Sequence, residues 1–283
     1  MRRLHFITGL PRAGSTLLAG ILRQNPRFHA GMTSPVGALV NAALRVSGDG
    51  EAAIQMTEEK TERLIRGIFQ AYYDDVPHAE VIFDTNRQWS AHLPMIARFA
   101  PEARVIACVR NPAWVMDSIE QITRRNPLRR SRLFQNDGER ATVYTRTDAL
   151  TRQDRLIGFA WTALKEAYFS DQAGRLLLLE YDILCQRPQE AIDLVYRFLG
   201  EPPFTHDFDA VDYDAEAFDA FLNTPGLHRV RRKVAWEPRR SVLPPDLFTK
   251  LAGMAFWQEN HPTLANRIVT SDPAAPPSPP GHD

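Results

Sequence analysis

Residues 9–16 read Gly-Leu-Pro-Arg-Ala-Gly-Ser-Thr, a stretch whose residue types suit it to hold an anion. Its two glycines let backbone amides approach a negative group closely. Arg12 sets a permanent cation inside the turn, and Ser15 and Thr16 add hydroxyls. Before the turn, Phe6, Ile7 and Thr8 belong to an apolar run that reads as a short buried strand; after it, residues 15–22 read as a helix. At such a junction an anion meets unpaired N–H groups and the positive end of the helix dipole. The spacing from Gly9 to Gly14 fits the first part of the G-x-x-x-x-G-K-[ST] nucleotide loop, but Ser15 stands where that loop has its lysine. The cation that a kinase or nucleotide hydrolase places on the β/γ-phosphates is therefore missing. The pattern points to an anion smaller or less highly charged than a magnesium triphosphate.

A second constellation lies at Arg110-Asn111-Pro112, with Ser118 eight residues after the arginine. Residues 104–110 read as a strand, Asn111 as an N-cap and Pro112 as the first residue of a helix. Arg110 thus ends a buried strand and offers a planar fork suited to a phosphate, to which Ser118 adds a hydroxyl. Asp84 ends another apolar run, residues 81–84, at the carboxyl edge where ligands of open α/β sheets collect, which makes it the leading candidate for a general base. A cap, or an ion pair with Arg87, is the competing reading of Asp84. His29 is a further candidate base, Tyr181 closes the strand read over residues 176–181, and residues 229–233 form a late basic cluster.

The elements that position these groups alternate. A loop or short extended piece covers residues 27–34, and helices follow from near Pro35 and over residues 57–73. Beyond strand 81–84 come a helix at 90–99, strand 104–110 and a helix to about residue 124. A long amphipathic helix (151–170) with Leu156, Phe159, Ala160, Ala163, Leu164 and Ala167 as its inner stripe precedes strand 176–181, a helix at 188–199 closed by Gly200, and a last helix over residues 245–260. Alternation of this kind predicts an α/β fold with a central, mostly parallel sheet between helices, in three layers. One domain covers residues 1–270, and the Pro-rich tail 271–283 is expected to be disordered. Residues 124–150 are the least regular stretch; their arginines read as a solvated helix face, with a lid or acceptor loop as the other reading.

The run Gly-Leu-Pro-Arg-Ala-Gly-Ser-Thr-Leu-Leu resembles the 5′-phosphosulfate loop of the sulfotransferases, in the form seen in tyrosylprotein and carbohydrate sulfotransferases. The arginine and serine eight apart are similar to that family's 3′-phosphate site, and Glu180-Tyr181-Asp182-Ile183-Leu184 is similar to a segment whose tyrosine lies near the adenine. The resemblance implies a P-loop-like fold, 3′-phosphoadenosine 5′-phosphosulfate (PAPS) as donor, no metal, and a small-molecule, sugar or peptide acceptor. It assigns Arg12, Ala13, Gly14, Ser15 and Thr16 to the phosphosulfate and Arg110, Ser118 and Tyr181 to the rest of the nucleotide. Arg87 takes the place of a lysine that contacts the transferring group, and the cluster 229–233 that of a loop closing over the 3′-phosphate. The family's base has no match: Met32, Thr33 and Ser34 stand where tyrosylprotein sulfotransferases have a glutamate, and Asp84-Thr85-Asn86-Arg87 where cytosolic members have a histidine. A phosphate-loop kinase or nucleotide hydrolase, and a non-catalytic nucleotide-binding protein, are the alternatives.

Composition narrows the partners. Lys+Arg and Asp+Glu both number 34 in 283 residues, so no global basic field exists for nucleic acid, and any anion site is local. Cys108 and Cys185 are too few for a disulfide framework and lack metal-ligand spacing; Cys108, in an apolar run, reads as a small buried hydrophobe. Met1-Arg2-Arg3 leads directly into a strand, and no apolar run reaches the ~18 residues of a membrane span. The expectation is a soluble cytoplasmic protein.

Overall fold

All residues of the strands β3 (Val81–Thr85), β4 (Val105–Val109) and β5 (Leu176–Glu180) are buried. Successive side chains of a strand point to opposite faces, so both faces of the sheet are covered, as a parallel sheet requires. These strands join β1 (Arg3–Gly9), β2 (Phe28–Thr33) and β6 (Asn266–Ile268) in one six-stranded sheet of order β2-β3-β1-β4-β5-β6, and every pair runs parallel. The computed structural model describes residues 2–270; the tail expected to be disordered lies outside the described residues.

The helices are α1 (Ser15–Leu22), α2 (Val36–Gly48), α3 (Glu58–Tyr72), α4 (Leu93–Phe99), α5 (Pro112–Arg125), α6 (Asp137–Arg140), α7 (Val143–Thr151), α8 (Leu156–Phe169), α9 (Tyr181–Gln186), α10 (Pro188–Leu199), α11 (Glu216–Phe221) and α12 (Pro245–Ala252). An aromatic cluster docks α3 and α4 onto β1. Phe69 and Phe99 meet Phe6 edge-on at centroid distances of 5.7 and 6.1 Å, contacts that add about 0.5–1.5 kcal/mol each beyond the area they bury.

Strand order places the site. From β1 the chain crosses to β2 and returns to β3, both on one side of β1; from β4 it proceeds to β5 on the other side. The direction of winding therefore reverses between β1 and β4, and ligands of open α/β sheets bind in the crevice outside the carboxyl ends at such a reversal. The strand exits at this point are Gly9 and Val109. Gly9 pairs with Cys108 across the sheet, so the glycine-bracketed loop and Arg110 leave neighbouring strands at the same level.

Several elements differ from the sequence reading. Residues 28–33 form the edge strand β2, the extended piece of the two alternatives read for this stretch; their alternating burial, with Phe28 and Ala30 inward, lacks the continuous apolar run of an inner strand. The long helix expected from residue 151 starts at Leu156, because Arg152 is extended (φ −57°, ψ 146°), and Phe159 of its expected inner stripe is 38% exposed. The irregular stretch 124–150 carries α6 and most of α7. The last helix stops at Ala252 and is followed by a 3₁₀ turn, Phe256–Gln258, before the short strand β6, which the sequence did not suggest.

Candidate active site

The loop after β1 takes its shape from three residues in left-handed backbone conformations: Gly9 (φ 111°), Arg12 (φ 59°) and Gly14 (φ 95°). Arginine rarely adopts this region, and strain of this kind persists only where the surroundings fix it. Gly14 is the N-cap residue of α1, and no side chain caps the helix. Its first-turn N–H groups are thus left for a ligand or water. A Cβ on Gly14 would lie 2.8 Å from Cδ2 of Tyr181, so the loop also needs glycine here to pack on that ring.

Tyr181 opens α9 at the end of β5 and carries Arg110 on its ring, with the guanidinium carbon 4.2 Å from the centroid. Arg110 Nε is buried without a hydrogen-bond partner. Arg12 Nε donates to Ser118 Oγ over 3.1 Å, which ties the loop after β1 to the second turn of α5. The two motifs therefore meet. Burial, then the proximity of Arg110, holds the Arg12 guanidinium down to about 10. Arg87, just beyond β3, is also lowered by burial. Among the described residues, no carboxylate forms an ion pair with Arg12, Arg87 or Arg110, whereas Arg231, Lys233 and Arg239 of the late basic region pair with Glu237, Asp209 and Asp117. Three convergent half-buried cations without ion-pair partners make a strong anion field.

These groups line one cleft of about 1280 Å³, together with Gly14, Ser15, Thr16, Ser118 and Tyr181. Ala13 is buried behind the loop at 1% exposure and contributes only backbone. Residues 226–237 form the opposite wall, a strap pinned by the bonds Val211 N–H to Arg232 O and Val234 N–H to Phe208 O, both 2.7 Å. Ser241 Oγ and the Val242 N–H both donate to Asp117 Oδ1, and Arg239 reaches Asp117 Oδ2 at 2.8 Å, so the end of the strap is fastened to α5.

Asp84 does not belong to this cleft. It is 0% exposed, and its carboxylate accepts from Ser34 Oγ (2.6 Å), Tyr73 OH (2.7 Å) and Trp89 Nε1 (2.8 Å). Burial raises its pKa, and the three donors oppose the rise. An acid so enclosed cannot reach an acceptor's proton; it joins the start of α2, the end of α3 and the turn after β3. The expected ion pair with Arg87 is absent as well. Deleting the carboxylate in Asp84→Ala strands two buried donors, Tyr73 and Trp89, each costing about 1–3 kcal/mol singly, and frees the half-buried Ser34 hydroxyl. We expect a loss of about 3–5 kcal/mol, read as a drop in urea midpoint at unchanged m-value. His29 is half-buried against Tyr73 at 5.4 Å and also lies outside the cleft. Met32 at the end of β2 touches Thr16, with Oγ1 3.4 Å from Sδ, confirming that no acid occupies that position.

Four arginines of residues 124–155 pair with two buried acids, and Arg124 and Arg125 also line the cleft. Arg124 and Arg146 converge on buried Glu120 at 2.7 Å, and Arg155 and Arg152 on Glu139 at 3.1 and 3.4 Å. Beside them, the Arg132 N–H bonds Leu222 O and Asn223 Nδ2 bonds Arg130 O, which docks α11 against this segment. The sequence reading missed α11 and the side chains it presents, Phe218 and Asp219, because six residues with one short apolar stripe give no clear helical period.

The sulfotransferase family model matches residues 5–206. The chain belongs to the sulfotransferase family. Sulfuryl transfer is that family's reaction, and the matched span holds the β1–α1 loop, Arg87, Arg110, Ser118 and Tyr181. A sulfotransferase from Alicyclobacillus acidocaldarius is similar in structure at 15% identity and TM-score 0.50, over 78% of this sulfotransferase and 92% of that chain. Sulfotransferase STF9 from Mycobacterium avium aligns at 13% identity and TM-score 0.49, over 94% of this chain and 79% of that one. At 15% identity the likeness to the Alicyclobacillus acidocaldarius structure speaks for the fold alone. Among curated proteins none matches the sequence. No helix among the described residues is long and apolar enough to cross a membrane.

Proposed function

We propose that this sulfotransferase uses PAPS as donor and transfers to a hydroxyl or amine of a small-molecule, sugar or peptide acceptor. The observation that carries the reading is the Arg12–Ser118 bond, which brings the loop after β1 and the strand exit of β4 into one cleft. The residues present fit a doubly phosphorylated nucleotide: an uncapped helix start, a glycine cradle, and an arginine whose buried Nε lacks an acceptor. PAPS supplies an activated sulfuryl group when bound. The amides of Ala13 and Gly14, with Arg12, Ser15 and Thr16, would hold its 5′-phosphosulfate. Arg110 and Ser118 would take the 3′-phosphate, with Tyr181 bracing Arg110 beside the adenine, and Arg87 would face the transferring group. Fixed cations in a partly desolvated cleft stabilise charge that develops on the leaving side, and they need no reorganisation to do so.

Calorimetric titration with adenosine 3′,5′-bisphosphate and with ATP plus magnesium tests the donor. The bisphosphate should bind more tightly, and Arg110→Ala should weaken it by about 30-fold or more, the ~2 kcal/mol cost of removing a buried charge-assisted contact. Preference for ATP would remove the reading. Bisphosphate binding unchanged in Arg110→Ala would displace the 3′-phosphate from that seat.

A further inference from the structure

His228 stands in the strap that faces the loop after β1, and it closes on Asp219 of α11. Its Nδ1 lies 2.6 Å from Asp219 Oδ1, and its backbone N–H donates to both carboxylate oxygens, at 3.1 and 3.2 Å. Asp219 is 6% exposed, and its own helix is anchored through the Ser131–Thr224 hydroxyl pair at 2.6 Å. With the carboxylate accepting at Nδ1–H, the neutral ring keeps its lone pair on Nε2. No hydrogen bond to Nε2 forms among the described residues, and His228 lines the same cleft as Arg12 and Arg87. Phe218 packs edge-on against the ring at 5.4 Å and fixes its plane.

We propose that His228 is the general base of the transfer and that Asp219 is its positioning residue. This deepens the function proposed above and rests on it. As the acceptor oxygen bonds to sulfur, its O–H proton passes to His228 Nε2; the bond from sulfur to the bridging oxygen breaks, and that oxygen leaves with the electron pair. The imidazolium then returns the proton to water. The charged groups around the ring come from three elements. Burial is the main influence and lowers the pKa of His228; Asp219 on α11 opposes it, and Arg12 after β1 and Arg87 after β3 lower it further. The imidazole is accordingly neutral, the form a base needs, at neutral pH. Other candidates fail: Asp84 is enclosed, the end of β2 has no acid, and burial holds the Cys185 thiol up at about 11.

The test compares wild type, His228→Asn and Asp219→Asn in bisphosphate affinity, in sulfate transfer from PAPS to a series of acceptors, and in the NMR titration of the His228 ring. A base matters only where a proton must be removed. His228→Asn should therefore bind the bisphosphate within twofold of wild type and lose about 10²-fold or more with aliphatic alcohols. With a phenol already ionised at neutral pH it should lose less than about tenfold. Asp219→Asn should move both the ring titration and the acid limb of the rate profile to lower pH, because the opposing carboxylate is gone. Equal losses across the acceptors, weakened bisphosphate binding in His228→Asn, or a ring titration unmoved by Asp219→Asn would overturn the dyad. Failure of the wild type to bind bisphosphate or to transfer sulfate is a separate result, which removes the function reading and the dyad's role with it.

Discussion

Replacing Arg12 by glutamine should lower sulfate transfer by about 10²–10³-fold while leaving the protein at least as stable as before. The first half follows from placement: Arg12 lies inside the loop, bonded to Ser118, and forms no ion pair among the described residues. Removing one preorganised donor from a site of developing negative charge costs about 2.7–4 kcal/mol of transition-state stabilisation. The second half follows from the direction of its pKa. Folding holds the guanidinium down to about 10, through burial and then Arg110. The folded state therefore disfavours the charge, by on the order of 3 kcal/mol at neutral pH. Glutamine removes that cost and can still donate to Ser118. Urea denaturation beside radiolabelled transfer measures both halves. A variant that loses stability in parallel with activity would show that Arg12 holds the fold together; a rate within tenfold of wild type would remove it from the chemistry.

The same arginine shows how much of the site could be read from the chain. Gly9, Arg12 and Gly14 are close in sequence, and the requirement for positive φ and for close backbone approach falls on those residues themselves. Arg110 and Ser118 are likewise local to one strand exit and one helix. Information of that kind survives in a linear string. Asp84 was misread because its three donors, Ser34, Tyr73 and Trp89, come from separate elements, and nothing near Asp84 signals that they converge. The His228–Asp219 pair escaped for the same reason. The two lie on either side of a tight turn through Asn223 (φ 50°) and Gly226 (φ 82°), and only the folded turn sets carboxylate against ring. β6 escaped because a three-residue edge strand with one buried residue gives no pattern to read. What the sequence could not carry was tertiary convergence, which decides whether a strand-end acid faces a cleft or is enclosed by its neighbours.

Gly9→Ala should be strongly destabilising, and Gly67→Ala should have the opposite sign. A Cβ on Gly9 would sit 2.1 Å from the carbonyl oxygen and 2.7 Å from the nitrogen of Cys108, backbone atoms of β4 that cannot rotate away. The residue also has φ 111°, which alanine reaches only with strain. Overpacking and strain together should cost about 4 kcal/mol, enough to unfold many domains of this size. Gly67 lies inside α3 with no heavy atom within 4 Å of the added methyl, so alanine there should raise stability by about 1 kcal/mol through helix propensity alone. Urea midpoints for the pair give the contrast. The Gly9 result also bears on the site, because the contact that forbids a methyl is the one that holds the exits of β1 and β4 side by side. In whatever fraction of Gly9→Ala folds, β1 must move off β4, so Arg12 and Ser118 separate and bisphosphate affinity falls by about tenfold or more, the ~1.4 kcal/mol of one shared contact. Folded Gly9→Ala that binds the bisphosphate normally would show that the cleft tolerates a wider junction than the backbone contact allows.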